Sequence, residues 1–225
     1  MTGPAYPSEW TIADTLSHLG SGAVIFLRML EDSLAGEATP ADMAPAVWDV
    51  WNAKSPAEQA TDSLQADAAL LGHLEGLTEA ERARVVVSFG PMDIDFDRMV
   101  SMRLNEHALH TWDVEVALDP AATVGPEATE QVIDQLAMMA GYTGKATGSE
   151  RSIRVATTAP RRGITVDLGT DGVVLSYGDQ VEEPDVTLPA EACIRLVYGR
   201  LDADHAAGVV EGADLMELRR AFPGA

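Results

Sequence analysis

A chain of 225 residues, 46% of them apolar, is long enough for one large or two small hydrophobic cores. Its formal charge of −21, from 36 acidic against 15 basic residues, repels phosphate backbones and anionic membrane surfaces, so neither nucleic acid nor a membrane is an expected partner. One cysteine, Cys193, excludes an internal disulfide framework; no apolar run reaches the roughly 20 residues of a membrane span, and Met1 to Trp10 lacks the basic start and apolar block of an export signal, so the expected location is the cytoplasm.

Ser8 or Thr11 is expected to cap a first helix running to about Ala35, in which Ile12, Leu16, Leu19, Ala23, Leu27, Leu30 and Leu34 recur at three- and four-residue spacing. Pro40 to Trp51, rich in Pro, Ala and Trp, reads as a loop with a helical turn near Val47 to Trp51. A second helix begins at Ser55-Pro56-Ala-Glu58, with serine as cap and proline at the first helical position, and ends near Gly76. Pro91 resets the chain before a third helix, about Phe96 to Leu118, and a fourth follows Gly125-Pro126-Glu127 to about Gly141. Gly144, Gly148 and Ser149 form a flexible joint. Beyond it Ser152 to Thr158, Gly163 to Leu168, Val173 to Tyr177 and Asp185 to Leu188 alternate with a period near two and read as short strands. Two helices, Pro189 to about Tyr198 and about Asp214 to Phe222, complete a small α+β unit. Four helices followed by a sheet predict two domains, residues 1–145 and 146–225.

The third helix carries Arg103-Leu-Asn-Glu106-His-Ala-Leu-His110-Thr-Trp-Asp113, a run of ionisable side chains on an otherwise apolar stripe. At about 100° per residue, Glu106, His110 and Asp113 fall within roughly 60° of one another, on the arc of Met99, Met102, Leu109 and Ala117. Ser101, Ala108, Thr111 and Glu115 take the opposite, solvent-like side. A carboxylate and an imidazole buried together cost several kcal/mol unless compensated, and a divalent cation compensates both. Glu106 and His110, one turn apart, can converge on one ion. His18, on another long helix, is the third candidate ligand; its plain alternative is an ordinary, partly buried histidine. Two histidines and one carboxylate leave a tetrahedral ion one open position, as in catalytic zinc sites.

Asp113 either accepts the second N–H of a ligating histidine or pairs with Arg103 or a backbone cap. His107 with His110 is the alternative ligand pair. His73 suits a helix C-terminus, and His205 lies in a polar turn. Cys193 reads as core rather than nucleophile, and Met99, Met102, Met138 and Met139 as gap-filling core. No nucleophile elbow, phosphate loop, HExxH or CxxC competes.

Three stretches carry a resemblance: Trp10-Thr-Ile-Ala-Asp-Thr-Leu-Ser-His18-Leu, Arg103-Leu-Asn-Glu106-His-Ala-Leu-His110-Thr-Trp112-Asp113-Val, and Pro189-Ala-Glu-Ala through Tyr198-Gly199-Arg200. With these the chain resembles the mycothiol-dependent maleylpyruvate isomerase family of actinobacteria. The resemblance implies a DinB-like four-helix bundle followed by a small sterol-carrier-like α+β domain, with His18, Glu106 and His110 holding zinc. It further implies that zinc activates mycothiol as a thiolate for addition to, or displacement on, a small electrophile, in an S-transferase or a cis–trans isomerase. An arginine of the C-terminal domain assists activity in the family, and Arg200 is the match here, with Arg219 and Arg220 as alternatives. His107 departs from the family pattern, in which an apolar residue is usual. The rival readings are a zinc-dependent hydrolase that uses metal-bound water and a non-catalytic ligand-binding protein.

Overall fold

In a computed structural model residues 1–6, 9–89, 92–179, 181–206 and 208–224 are described, and the chain divides into two compact units, Met1–Leu118 and Asp119–Ala225. Ser8 and Pro91, to which the sequence reading gives roles, lie outside the described residues.

The first unit is helical. Helix α1 (Ile12–Ala35) starts at a reciprocal cap, in which the Thr11 hydroxyl accepts from the Asp14 N–H at 3.1 Å and the Asp14 carboxylate accepts from the Thr11 N–H at 2.9 Å. It ends at Gly36, whose φ of 74° is left-handed. A short helix, α2 (Met43–Asn52), fills the segment expected to be mostly loop. Pro45 is tolerated there because it sits in the first turn, where its missing N–H has no intrahelical partner to lose. Helix α3 (Pro56–Gly76) begins at the expected Ser55 with the same type of reciprocal cap from Glu58. Its close approach to α1 is made at Gly20, where a Cβ would fall 2.2 Å from the Trp51 ring and 2.8 Å from the Ser63 Cα.

A one-turn helix, α4 (Glu79–Arg82), leads into a hairpin of β1 (Val86–Phe89) and β2 (Met92–Asp95), neither foreseen from the sequence. Val85, Val87 and Ile94 enter the core with Ala23, Phe26, Met29, Leu30, Leu70 and Met99. Asp95 then caps α5 (Phe96–Glu115) by accepting from the Arg98 N–H at 2.9 Å. Helix α5 is enclosed over most of its girth: Arg103, Asn105, Ala108, Leu109, Trp112 and Asp113 are all buried. Ala108, expected on the solvent side, is therefore buried, and Ala117, expected on the inner arc, is exposed just past the helix end. Thr111 and Glu115 are exposed as their positions predict.

The second unit opens with the expected fourth helix, broken into α6 (Pro126–Val132), a 3₁₀ turn (Ile133–Gln135) and α7 (Leu136–Thr143). The Tyr177 hydroxyl causes the break: it donates to the Ile133 carbonyl at 2.6 Å and accepts from the Leu136 N–H at 2.9 Å, interrupting the helical ladder. A sheet of order β5-β4-β3-β6 follows, built from β3 (Arg151–Thr157), β4 (Gly163–Leu168), β5 (Val173–Gly178) and β6 (Val186–Leu188). The first three form an antiparallel meander, and β6 pairs parallel to β3. Helices α8 (Ala190–Val197) and α9 (Ala213–Ala221) complete it, close to the bounds expected. Cys193 is buried on α8, and burial pushes its thiol up to about 12, so it is core and not a nucleophile.

The sequence reading places the fourth helix in the first domain and the boundary at 145. In the structure the buried Val132, Ile133, Leu136 and Ala140 pack with β5 and α8, which puts this helix in the second unit and the boundary at Leu118. Among the described residues no helix is long and apolar enough to cross a membrane.

Candidate metal centre

His18 reaches the site from α1, and Glu106 and His110 from successive turns of α5. The two helices pack against each other, with Ser17 and Ser21 of α1 buried. A single guanidinium fixes their register. Arg103 of α5 donates through Nη2 to the Leu19 carbonyl at 2.7 Å, on the residue that follows His18. Gly22 leaves room beside it: a Cβ there would lie 2.8 Å from Arg103 Nη1. The same Nη2 lies 2.5 Å from the Asp67 carboxylate of α3.

The three candidate ligands come together. His18 Nε2 lies 2.8 Å and His110 Nε2 3.6 Å from the same oxygen, Glu106 Oε2, and one donor atom from each residue falls within 4.8 Å of the others. Metal–ligand bonds of about 2.0–2.1 Å give a tetrahedron whose edges are about 3.3 Å, a length that the two measured separations bracket. The donor set of two imidazoles and one carboxylate therefore fits a zinc-sized ion in both chemistry and spacing. His110 is the more enclosed imidazole, and the Glu106 side chain is 43% exposed, leaving one side of the cluster open.

Burial works to raise the Glu106 pKa; the hydrogen bond from His18 and the nearby charges of His110, His18 and Arg103 outweigh it, so the carboxyl sits below its ordinary range. A carboxylate kept ionised beside imidazole nitrogens is what a cation site needs. His110 Nδ1 lies 2.8 Å from Asp113 Oδ2 on a wholly buried side chain, which sets the tautomer with the proton on Nδ1 and leaves Nε2 as the free donor atom facing Glu106. Of the two alternatives for Asp113, the structure has the histidine contact, while Arg103 bonds to Asp67.

His107, the alternative ligand, belongs to a neighbouring cluster. Its Nε2 is 2.9 Å from Asp67 Oδ1 and 3.0 Å from Arg103 Nη2. His73 lies in the last turn of α3, and His205 contacts Asp202 at 2.8 Å in the second unit. Trp10 has no assigned role in the sequence reading, yet its indole packs on both candidate imidazoles. Its ring is 5.8 Å from that of His110 at an interplanar angle of 17°, and 5.2 Å from that of His18 at 55°. The only local sign was its place eight residues before His18, just ahead of the Thr11 cap.

A family model described as the mycothiol maleylpyruvate isomerase N-terminal domain matches residues 2–115. The chain belongs to the mycothiol-dependent maleylpyruvate isomerase family. It is thus a member of an enzyme family. Two solved structures share the maleylpyruvate isomerase fold with it at 14% identity. One is a crystal structure of the mycothiol-dependent maleylpyruvate isomerase with a histidine replaced by alanine, at a TM-score of 0.60 over 93% of this chain and 83% of that one. The other is a further crystal structure of that isomerase, at a TM-score of 0.57 over 87% and 77% of the two chains. No curated protein sequence matches.

The segment matched to the maleylpyruvate isomerase domain takes in Trp10, His18, Glu106, His110 and Asp113. Arg200 lies beyond it, following α8, with Nη1 donating to the Tyr198 carbonyl at 3.1 Å. The two alternative arginines are held by carboxylates of their own unit, Arg219 by Glu211 at 2.7 Å and Arg220 by Glu217.

Proposed function

We propose that this family member is a zinc-dependent enzyme that uses a low-molecular-weight thiol, mycothiol by its family, as the nucleophile on a small electrophile. The observation that carries this reading is the convergence of His18, Glu106 and His110 at metal-ligand spacing in a chain whose only thiol is buried. Zinc held by these residues supplies a Lewis acid that lowers a thiol's pKa toward neutrality. The chain's residues do the rest. Glu106 provides the negative charge that neutralises part of the cation, Asp113 keeps the proton on His110 Nδ1, and the exposed edge of Glu106 leaves room for the thiol.

Addition of the thiolate to an activated double bond turns it into a single bond about which the adduct rotates. Elimination then restores the double bond in the other geometry and regenerates the thiol, giving a redox-neutral isomerisation. Addition or displacement without elimination gives an S-transferase. Arg200 is the arginine assigned to an anionic substrate group, on the strength of the Tyr198-Gly199-Arg200 stretch and because an acidic chain offers few other cations.

Purified protein is expected to carry about one zinc ion per chain and to turn over maleylpyruvate, or conjugate a generic electrophile, only when mycothiol is added. Elemental analysis and an assay with and without thiol check this. Equal turnover of the zinc-loaded protein with and without thiol would favour the hydrolytic alternative and overturn the reading.

A further inference from the structure

The segment before α1 folds back along the start of that helix. The Met1 and Gly3 carbonyls accept from the Ala13 and Ile12 N–H groups, each at 3.0 Å, Pro4 bridges to Thr11, and the Ala5 N–H donates to the Trp10 carbonyl at 2.8 Å. The same segment is also tied to α5. The Tyr6 N–H donates to the Asp113 carbonyl at 3.0 Å, and the Tyr6 ring meets Trp112 edge-on at 5.2 Å. This strap therefore joins the two helices that supply the candidate ligands, and it is fastened at the residue whose side chain holds His110.

Trp10 is what the strap delivers. Its indole lies nearly parallel to the His110 ring and tilted against that of His18, while the two imidazoles meet edge-to-face at 4.7 Å. Hydrogen bonding at Nδ1 fixes His110 at one edge but leaves the ring free to swing about that contact; a flat plate on its face removes this freedom. Glu106 holds His18 at Nε2, and the indole tilted against its ring adds a second restraint.

We propose that Trp10 is a positioning residue of the metal centre. Its indole holds both imidazoles with their Nε2 atoms toward Glu106 before an ion arrives, and it closes that flank, so that thiol and electrophile approach from the open Glu106 side. The inference rests on the zinc reading above. Removing groups that orient metal ligands typically lowers metal affinity by 10–100-fold.

Zinc affinity, read by chelator competition on wild type and on W10F, W10L and W10A, tests it, with the melting temperature of each metal-free protein measured alongside. Wild type and W10F, which keep a flat ring, are expected to agree within about threefold, and W10L and W10A to bind about 10–100-fold more weakly. Cobalt added to wild type is expected to quench tryptophan emission by an amount largely lost in W10F, although W10F still binds the ion by absorbance. Equal affinity in all four proteins would overturn the role of Trp10 and leave the zinc reading standing. So would an equal loss in W10F and W10L, since ring shape would then not matter. Absence of any stoichiometric ion from wild type would instead remove the zinc reading, and the role of Trp10 with it.

Discussion

Asp113 is wholly buried, and its carboxylate is placed by packing against a histidine three residues earlier on the same helix. The D113N substitution keeps shape and volume but removes the charge that polarises His110. Zinc affinity is expected to fall about 10–100-fold while the metal-free protein keeps its far-ultraviolet dichroism, as chelator competition and a spectrum will read. This contact was half legible in the sequence, because the three-residue spacing that brings Asp113 to His110 left a pairing with Arg103 or a backbone cap equally open. Glu106 and His110 were legible for the same local reason. The Asp67–Arg103–His107 cluster was not, since Asp67 and Arg103 are 36 positions apart and meet only once α3 packs beside α5. Its role is mechanical. A buried guanidinium that bonds at once to Asp67 and to the Leu19 carbonyl sets the height of His18 against Glu106.

At the scale of elements, the helix start at Ser55 could be read from a four-residue signature, because its reciprocal cap is made wholly within those residues, while Thr11 was one of two candidate caps for the first helix. The β1–β2 hairpin and the division of the fourth helix could not. The hairpin is two four-residue strands that gain their stability from the core they join, and the break between α6 and α7 is made by the hydroxyl of a tyrosine some forty positions later. Helix α9 is anchored by contacts from distant positions. Glu217 accepts from Thr147 and Ser149, each at 2.7 Å, and pairs with Arg220, and these contacts hold its carboxyl down to about 2 against an ordinary 4.5. A carboxyl whose folded pKa is depressed stabilises the fold fully above the unfolded value and loses that contribution as pH falls through the folded one. The melting temperature of E217Q is therefore expected to lie below that of wild type at neutral pH, with the gap narrowing as pH drops from about 4.5 and closing near 2. A gap that stayed constant across thermal melts in this range would show that the Glu217 charge is not what anchors α9.

For the whole molecule, the two-part organisation was visible as a change from helical to alternating periodicity, but its seam was not. The amphipathic stripe of Val132, Ile133, Leu136 and Ala140 reports that a core exists without saying which core, and the Pro120 and Gly125-Pro126 region is as plausible a linker in composition as the glycines near 145. All three candidate ligands, Asp113 and Trp10 fall within Met1–Leu118, which has a hydrophobic core of its own. A fragment of residues 1–118 is expected to fold and to retain zinc within about tenfold of the full chain, a comparison that calorimetric titration can make. Failure of the fragment to fold cooperatively would show that the second unit is needed to complete the first. The large negative charge was informative at this scale only as an exclusion.

The placement of Cys193 has a protective side. Catalysts that handle electrophiles risk being alkylated by the compounds they process, and an accessible cysteine is the usual point of attack. Here the sole sulfhydryl is sealed inside α8 and held protonated far above neutral pH. With the thiol chemistry proposed above, a protein built this way would lend its reactivity to a diffusible cosubstrate that can be replaced after each accident, and would escape suicide inactivation at its own cysteine.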